Sequence, residues 1–214
     1  MDRWVALDVG ETLIDETRVW ATWSEVLGIS PFTVMGTLGA MIAQGRDHGD
    51  LFVELGVPAW QTLWPEVDRR MGGFLSTDLY PDAIPTLGAL RKAGYRLAIV
   101  ANQPSLRTHE LHEAGIEAEV MAMSEELGVS KPDPVFFQRT LELLGDPDPA
   151  TVAYVGDRVD NDVLPAAAAG MRAVWLRRGP WGTIQQLPPD VAPALVVDSL
   201  TELVERLDEA FPAG

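Results

Sequence analysis

Short apolar runs alternate with longer amphipathic stretches along most of the chain. The apolar runs are rich in β-branched and aromatic residues, which favour strands, and they cover residues 4–7, 95–101, 118–123, 151–155, 173–176 and 195–197. The stretches between them predict helices over residues 83–92, 105–113, 135–144, 163–169 and 200–210. Strands that alternate with helices predict an α/β fold with a doubly wound parallel sheet.

The alternation stops between residues 15 and 78, where one helical pattern follows another without a convincing strand. Trp20 and Trp23 are three residues apart, and Trp60 and Trp64 are four apart, so each pair can share one helix face. The pattern therefore predicts an all-helical domain over residues 15–78, inserted into a core domain of residues 1–14 and 79–214. We interpret the tryptophans as the core of the helical domain rather than as a ligand surface.

The composition narrows the class of protein. The 214 residues are 47% hydrophobic and 22% charged, which is typical of a globular chain with a sizeable core. A net charge of -16 disfavours nucleic acid and anionic membranes as partners. The absence of cysteine excludes disulfides and thiolate chemistry. Because the N-terminus lacks an apolar signal core, we expect a soluble cytoplasmic protein.

Polar groups follow the ends of several predicted strands. Asp8 follows the first run, Asn102 follows the second, and Lys131 lies beside the two prolines of a Ser-Lys-Pro-Asp-Pro segment. The run over 151–155 leads into Gly156-Asp157 and on to Asp162. The carboxyl ends of parallel strands share one edge of a sheet, so these groups are expected to meet there. Taken alone, Asp8 is more typical of a turn or helix cap and Lys131 of a solvated surface residue, while Asn102 is about equally typical of a turn.

Clustered acids point to a cation. Asp157, Asp160 and Asp162 lie within six residues, and carboxylates so close together repel one another unless a cation or solvent separates them. Hard oxygen ligands favour Mg²⁺. A merely acidic, solvated turn is the competing interpretation, which the strongly apolar run before it disfavours.

These motifs, in this order, resemble those of the haloacid dehalogenase superfamily, and the likeness spans essentially the whole chain. The resemblance implies a magnesium-dependent hydrolase of phosphatase type, with a Rossmann-like core and a helical cap that closes over a small phosphorylated metabolite. It implies Asp8 as the nucleophile, which would become an aspartyl-phosphate, and Lys131 as the catalytic lysine. The implied Mg²⁺ ligands are Asp8, the carbonyl of Gly10, Asp157 and Asp162. The implied phosphate-binding residues are Asn102, Lys131, Glu11 and Thr12.

Two positions depart from the family pattern. Family phosphatases typically carry a second aspartate two residues after the nucleophile, where it acts as general acid and base, and this chain has Gly10 there. The hydroxyl residue of the second motif is replaced by Ala101. Loss of acid–base catalysis costs about 10²–10⁴ in rate, so we expect slow turnover unless the substrate, the cap or, less favourably, Glu11 supplies the proton. Gly10→Asp is expected to raise turnover, unless a positive φ at this position opposes it.

Two alternatives follow from these departures. A dehalogenase-type hydrolase also lacks the second aspartate, but it would not need the acidic cluster. A catalytically degenerate binding protein is the other alternative, and the retention of Asp8, Lys131, Asp157 and Asp162 argues against it. We interpret His109 and His112 as surface residues and His48 as solvated on the cap. The sequence assigns neither the substrate nor an oligomeric state.

Overall fold

Six parallel strands form one sheet in the computed structural model, which describes residues 2–211. The strands are β1 (Trp4–Leu7), β2 (Arg96–Ala101), β3 (Val120–Met123), β4 (Val152–Gly156), β5 (Arg172–Leu176) and β6 (Leu195–Val197). They lie in the order β3-β2-β1-β4-β5-β6, and every neighbouring pair is parallel. All six predicted strands are present, with bounds that differ by at most two residues, and the predicted α/β class is confirmed.

Helices cover both faces of the sheet, which explains why the strands are apolar without alternation. The helices of this part of the chain are α5 (Ala83–Lys92), α6 (Arg107–Glu113), α7 (Ser124–Leu127), α8 (Pro134–Leu143), α9 (Leu164–Ala168), α10 (Gly179–Ile184) and α11 (Leu200–Arg206). Successive residues of β1 point to opposite faces: Val5 and Leu7 pack with α5, α6 and α11, whereas Trp4 and Ala6 pack with α8 and α9. The sheet is therefore buried on both sides.

Four further helices lie between β1 and α5. They are α1 (Thr17–Leu27), α2 (Pro31–Ala43), α3 (Gly49–Glu54) and α4 (Trp64–Met71), with a 3-10 turn at Trp60–Leu63. Within residues 15–78 the structure has no strand, in agreement with the helical pattern of the sequence. We call the segment of residues 15–78, which contains these elements, the insert. Its core contains Trp20, Trp23 and Phe52, joined by Trp181 from α10.

The two ends of the insert run side by side. Ile14 and Leu79 form an antiparallel bridge, and the backbone N–H of Asp15 donates to the carbonyl of Asp78 at 2.8 Å. The Arg18 guanidinium pairs with the Asp78 carboxylate across the same junction. The chain thus enters and leaves the insert at neighbouring positions.

No single helix among residues 2–211 is long and apolar enough to span a membrane, while α1 and α2 pass that test only as a pair bent by 115°.

Candidate functional site

Two central strands place two aspartates beside each other. β1 and β4 are neighbours at the point where the order of strand connection reverses, which is where α/β sheets open a crevice for ligands. Asp8 follows β1 directly, and its backbone N–H donates to the carbonyl of Val155 at 2.9 Å. Asp157 follows β4 directly. The predicted meeting of these residues at the carboxyl edge of the sheet is therefore observed.

Lys131 connects two of the acids. Its Nζ lies 2.7 Å from Oδ1 of Asp8 and 2.6 Å from Oδ1 of Asp162, and the side chain is buried. Burial opposes the positive charge, but the carboxylates of Asp162 and Asp8 outweigh it and raise the Lys131 pKa well above its ordinary value. A permanently charged ammonium group therefore lies against Asp8.

Three carboxylates surround a small space. Asp8, Asp157 and Asp162 each offer an oxygen, and these oxygens lie within 4.8 Å of one another. Oδ2 of Asp157 is buried and has no hydrogen-bond partner among the described residues. Burial, with added repulsion from Asp162 and Asp8, raises the Asp157 pKa well above its ordinary value. Burial also raises the Asp162 pKa to about 6. An unpaired buried oxygen and excess negative charge are what a divalent cation would satisfy.

Asp162 reaches this cluster through a tight turn after β4. It lies in the π-helical turn Val159–Val163, and its Oδ2 accepts the backbone N–H of Arg158 at 2.9 Å. A Cβ atom at Gly156 would overlap the Asp162 carboxylate. Glycine is therefore required at 156 for the acid to fold back over the end of β4.

Asn102 lies beside Lys131 but has a different set of contacts from the one predicted. Its Nδ2 donates to the Lys131 carbonyl at 2.9 Å, and its Oδ1 accepts the Lys131 N–H at 2.7 Å. Both ends of the amide thus hold the lysine's backbone, while the residue also lines the cavity described below. Asn102 as a phosphate ligand stays a prediction.

The other predicted phosphate ligands differ in their access to the cavity. The Glu11 carboxylate accepts the Tyr80 hydroxyl and the backbone N–H of Glu16, and Glu11 lines the cavity. Thr12 is fully buried, is not among the cavity-lining residues, and its Oγ1 has no partner in the described part of the chain. Their roles as ligands stay predictions.

The space beside Gly10 is filled by another acid. A Cβ atom at position 10 would overlap Oε1 of Glu16 and lie 3.0 Å from its Cδ. Gly10 has no positive φ, so the expected backbone obstacle to Gly10→Asp is wrong, and the positive φ of 49° belongs to Glu11. The obstacle is instead the Glu16 carboxyl group. Burial, with repulsion from Glu11 and Asp8, raises the Glu16 pKa to about 8.

The acids open into a cavity of about 190 Å³ between the sheet edge and the insert. The insert contributes mainly aromatic side chains, which the sequence interpretation placed in its core alone. Trp20 and Trp23 are buried in that core and also line the cavity. His48 lines it as well, with 41% of its side chain exposed, and His109 and His112 are exposed as expected.

Among the lining residues that the sequence did not single out are Glu16, Arg158 and Trp181. Arg158 lies between its ion-pair partner Asp160, at 2.8 Å, and the Trp181 ring, whose centroid is 5.1 Å from the guanidinium carbon. The acidic turn after β4 is thus partly neutralised by its own arginine. The sequence signal for Arg158 was its position next to Asp157, in the acidic segment that was predicted to form the metal site.

Comparisons with known proteins find similarity to one family of hydrolases. A family model of haloacid dehalogenase-like hydrolases matches residues 3–170. Glyceraldehyde 3-phosphate phosphatase from Methanopyrus kandleri is 37% identical over 133 residues, which are 61% of this chain and 57% of that protein. Phosphoglycolate phosphatase from Psychrobacter arcticus is 34% identical over 208 residues, 88% of this chain and 86% of that protein.

Solved structures share the whole fold. The crystal structure of a HAD phosphatase from Thermococcus onnurineus superposes with a TM-score of 0.63 at 27% identity, covering 98% of this chain and 100% of that one. Several matches to curated relatives are shorter: this chain spans about half the length of five of them, between 49% and 57%.

Proposed function

Because the chain belongs to the haloacid dehalogenase-like hydrolase family, we propose that it is a phosphatase that hydrolyses small phosphomonoesters through an aspartyl-phosphate on Asp8. The observation that carries the proposal is the contact of one buried lysine with Asp8 and Asp162, next to the unpaired carboxylate oxygen of Asp157. Such a site offers a nucleophile and compensates the charge of a bound phosphate.

We propose Mg²⁺ as the cation of this site. Asp8, Asp157, Asp162 and the carbonyl of Gly10 would hold it, and the clustered, partly unpaired carboxylates fit an oxygen-seeking divalent ion. When bound, Mg²⁺ supplies the positive charge that lets an anionic carboxylate approach an anionic phosphate. Lys131 supplies a second, permanent positive charge in contact with Asp8.

The proposed reaction has two steps, and both use Asp8. A carboxylate oxygen of Asp8 attacks phosphorus, the bond from phosphorus to the alcohol oxygen breaks, and the alcohol leaves with a proton. Water then attacks the phosphoryl group on Asp8, loses a proton, and releases inorganic phosphate with the free carboxylate. Each step therefore needs one group that moves a proton beside Asp8.

Glu16 is our candidate for that group. Its carboxyl occupies the space into which a side chain at position 10 would project, the position that holds the second aspartate in family phosphatases. Its pKa of about 8 leaves it protonated at neutral pH, so it can donate to a leaving alcohol. Glu11, by contrast, is held by Tyr80 and the Glu16 N–H.

Several broader assignments belong to the same proposal. Residues 15–78 would act as a helical cap on a core of residues 1–14 and 79–214, because the insert forms the opposite wall of the cavity. The partner would be a small phosphorylated metabolite, and the net charge of -16 argues against nucleic acid and anionic membranes. We place the protein in the cytoplasm, since it has no cysteine and its relatives include a glyceraldehyde 3-phosphate phosphatase.

The test is phosphate release from a panel of phosphomonoesters, with and without Mg²⁺, run beside halide release from short 2-haloacids. Magnesium-dependent phosphate release that Asp8→Asn abolishes is the expected result. Halide release without added metal would favour the dehalogenase-type alternative. Gly10 is the residue that suggests this alternative, because dehalogenases also lack the second aspartate. Neither product, with intact binding of phosphate analogues, would favour the degenerate binding protein.

A further inference from the structure

The insert faces the acidic cluster with a continuous aromatic wall. Its members are Trp20, Trp23, Phe52, Trp60 and Trp64, and Trp181 from α10 continues it. Neighbouring rings touch along the wall: Trp23 lies 4.5 Å from Phe52 and 5.1 Å from Trp64, and Phe52 lies 4.6 Å from Trp60, centroid to centroid. The same cavity contains Asp8 and Lys131, so a phosphate bound there would direct the rest of its ester towards these rings.

We propose that the preferred substrates are phosphomonoesters of alcohols that carry a neutral aromatic ring, with the ring bound against the aromatic wall. This inference rests on the proposed function, because it takes the phosphate to lie at Asp8. It names the substrate class that the proposed function left open.

The polarity of the insert disfavours hydroxylated alcohols such as sugars and glycerol. Besides the five aromatic residues and Val19, the insert lines the cavity with only Glu16 and His48 among its described residues. A polyol would exchange its hydrogen bonds to water for contacts with ring carbons, which is unfavourable. An aromatic ring loses nothing comparable and gains apolar burial and ring–ring contacts.

The arrangement of the rings disfavours a quaternary ammonium group, the other ligand that aromatic walls bind. Such a cation needs free ring faces. Phe52 and Trp60 are stacked at 16°, so each covers a face of the other. The Trp181 face already carries the Arg158 guanidinium, which would also repel a second cation. A neutral ring can pack against the remaining edges and faces.

The experiment compares benzyl phosphate, sn-glycerol 3-phosphate and choline phosphate with the full chain and Mg²⁺. The three leaving alcohols are primary alcohols, so differences in kcat/KM report mainly on the part of the molecule beyond the oxygen. Benzyl phosphate is expected to exceed sn-glycerol 3-phosphate by roughly ten- to a hundred-fold, the factor for burying one aromatic side chain. An equal or better value for either comparison substrate would overturn the inference.

A matched pair of variants tests whether the wall causes the preference. Trp64 is 37% exposed at the cavity and tolerates truncation better than the buried rings, whereas Phe32 is 87% exposed on the same insert and does not line the cavity. Trp64→Ala should reduce the preference for benzyl phosphate several-fold, and Phe32→Ala should leave it unchanged. Equal loss on both substrates in Trp64→Ala would contradict direct ring binding.

Binding without turnover separates this inference from the proposed function. Calorimetry of the wild-type protein with benzylphosphonate and 2-hydroxyethylphosphonate, in the presence of Mg²⁺, needs no hydrolysis. If no phosphomonoester is cleaved but benzylphosphonate binds at least about tenfold more tightly, the proposed function fails and the aromatic site stands. If phosphomonoesters are cleaved and the two phosphonates bind equally, the phosphatase stands and the aromatic site fails.

Discussion

The sheet edge and the insert form opposite walls of one cavity, and they are built differently. At the sheet edge, the acids and Asn102 follow strands or lie in the turns after them, and Lys131 comes from the segment between α7 and α8. Paired contacts hold these residues: Lys131 bridges Asp8 and Asp162, and Asn102 holds the lysine's backbone. In the insert, the lining residues come from α1, α3, the 3-10 turn and α4. They are held by packing against one another.

The difference separates reactivity from selectivity. A charged group at the end of a strand keeps its position as long as the sheet is intact, because backbone hydrogen bonds fix its Cα. A wall assembled from several short helices can change its shape through single side chains while the sheet stays the same. We therefore expect changes at the sheet edge to affect the rate on every substrate, and changes in the insert to affect the choice among substrates. Glu16 is the exception: it belongs to the insert, but its side chain lies beside Gly10, so we expect its replacement to affect the rate on every substrate.

The largest effect should come from Asp8→Asn, which keeps the side-chain shape and removes the nucleophile. Turnover should fall by at least about 10⁴-fold on every phosphomonoester, since replacing a nucleophile removes the covalent route. Steady-state phosphate release measures it. Asp146→Asn is the matched control, because Asp146 is exposed and remote from the cavity, and it should keep full activity. Similar activity in the Asp8 and Asp146 variants would remove Asp8 from the nucleophile role.

The next largest effect should come from removing the proposed proton donor, Glu16. Glu16→Gln, which keeps the volume but not the acid, should lower kcat about 10²–10⁴-fold on alkyl phosphates and less on 4-nitrophenyl phosphate, whose leaving group needs no proton. Gly10→Asp alone should not raise turnover, because its side chain would overlap the Glu16 carboxyl.

Moving the acid back to position 10 is the decisive control. The double variant Gly10→Asp/Glu16→Ala clears the occupied space and should recover much of the activity that Glu16→Ala loses. If Gly10→Asp alone is faster than wild type, or if the double variant is no faster than Glu16→Ala, Glu16 does not take the place of the second aspartate.

A smaller effect is expected on stability, which should depend on both pH and Mg²⁺ because protons and the metal compete for the carboxylates at the sheet edge. The Asp157 and Asp162 pKa values are raised in the folded protein, the latter to about 6. A raised carboxyl pKa stabilises the fold at low pH, and that contribution is lost as pH rises through the folded-state pKa. Without metal, the Asp157 and Asp162 carboxylates should therefore lower the free energy of unfolding more at about pH 8 than at about pH 5. Bound Mg²⁺ should offset this loss of stability.

Thermal unfolding measures this linkage. Saturating Mg²⁺ should raise Tm by about 5–10 °C at about pH 8, and by less at about pH 5, where protons compete for the carboxylates. In Asp157→Asn the increase at the higher pH should be much smaller than in wild type. A Tm that does not respond to Mg²⁺, or an equal response in Asp157→Asn, would contradict the proposed ligand set.

The smallest effect should come from Asn102→Ala. Loss of its two hydrogen bonds to the Lys131 backbone should cost about 1–3 kcal/mol of unfolding free energy, and turnover should fall about tenfold as the lysine shifts. Urea unfolding and phosphate release measure the two. An unchanged stability with a higher KM would instead assign Asn102 to direct phosphate binding.

The sequence predicted the sheet and its acidic edge because both are local features. Each strand is a short β-rich run, and Asp8 and Asp157 directly follow such runs, so the pattern that predicts the strand also predicts the position of the acid. Lys131 was identified from its own segment, whose Asp133 caps α8 by accepting the Val135 N–H. Two helices escaped prediction: α7 is four residues long, and α10 contains two glycines and a proline, which weaken any helical pattern.

The cavity side of the insert could not be predicted in the same way. The spacing of Trp20 and Trp23 predicted a shared helix face, but which of their atoms face a cavity depends on α3, the 3-10 turn and α10, which meet them only in the folded chain. Glu16 was missed for the same reason. Nothing in the sequence indicates that the chain bends so that the side chain of residue 16 fills the space beside Gly10.

The close spacing of the two ends of the insert affects how easily the insert can be replaced during evolution. Asp15 and Asp78 are hydrogen-bonded neighbours, so the insert forms a loop whose two ends are held side by side. Lengthening or exchanging a loop with fixed ends costs little free energy, since the closure entropy grows only slowly with length. During evolution the insert can therefore be replaced while the residues at the sheet edge stay the same. Glu16 lies one residue inside the junction, so such a replacement would remove the proposed proton donor.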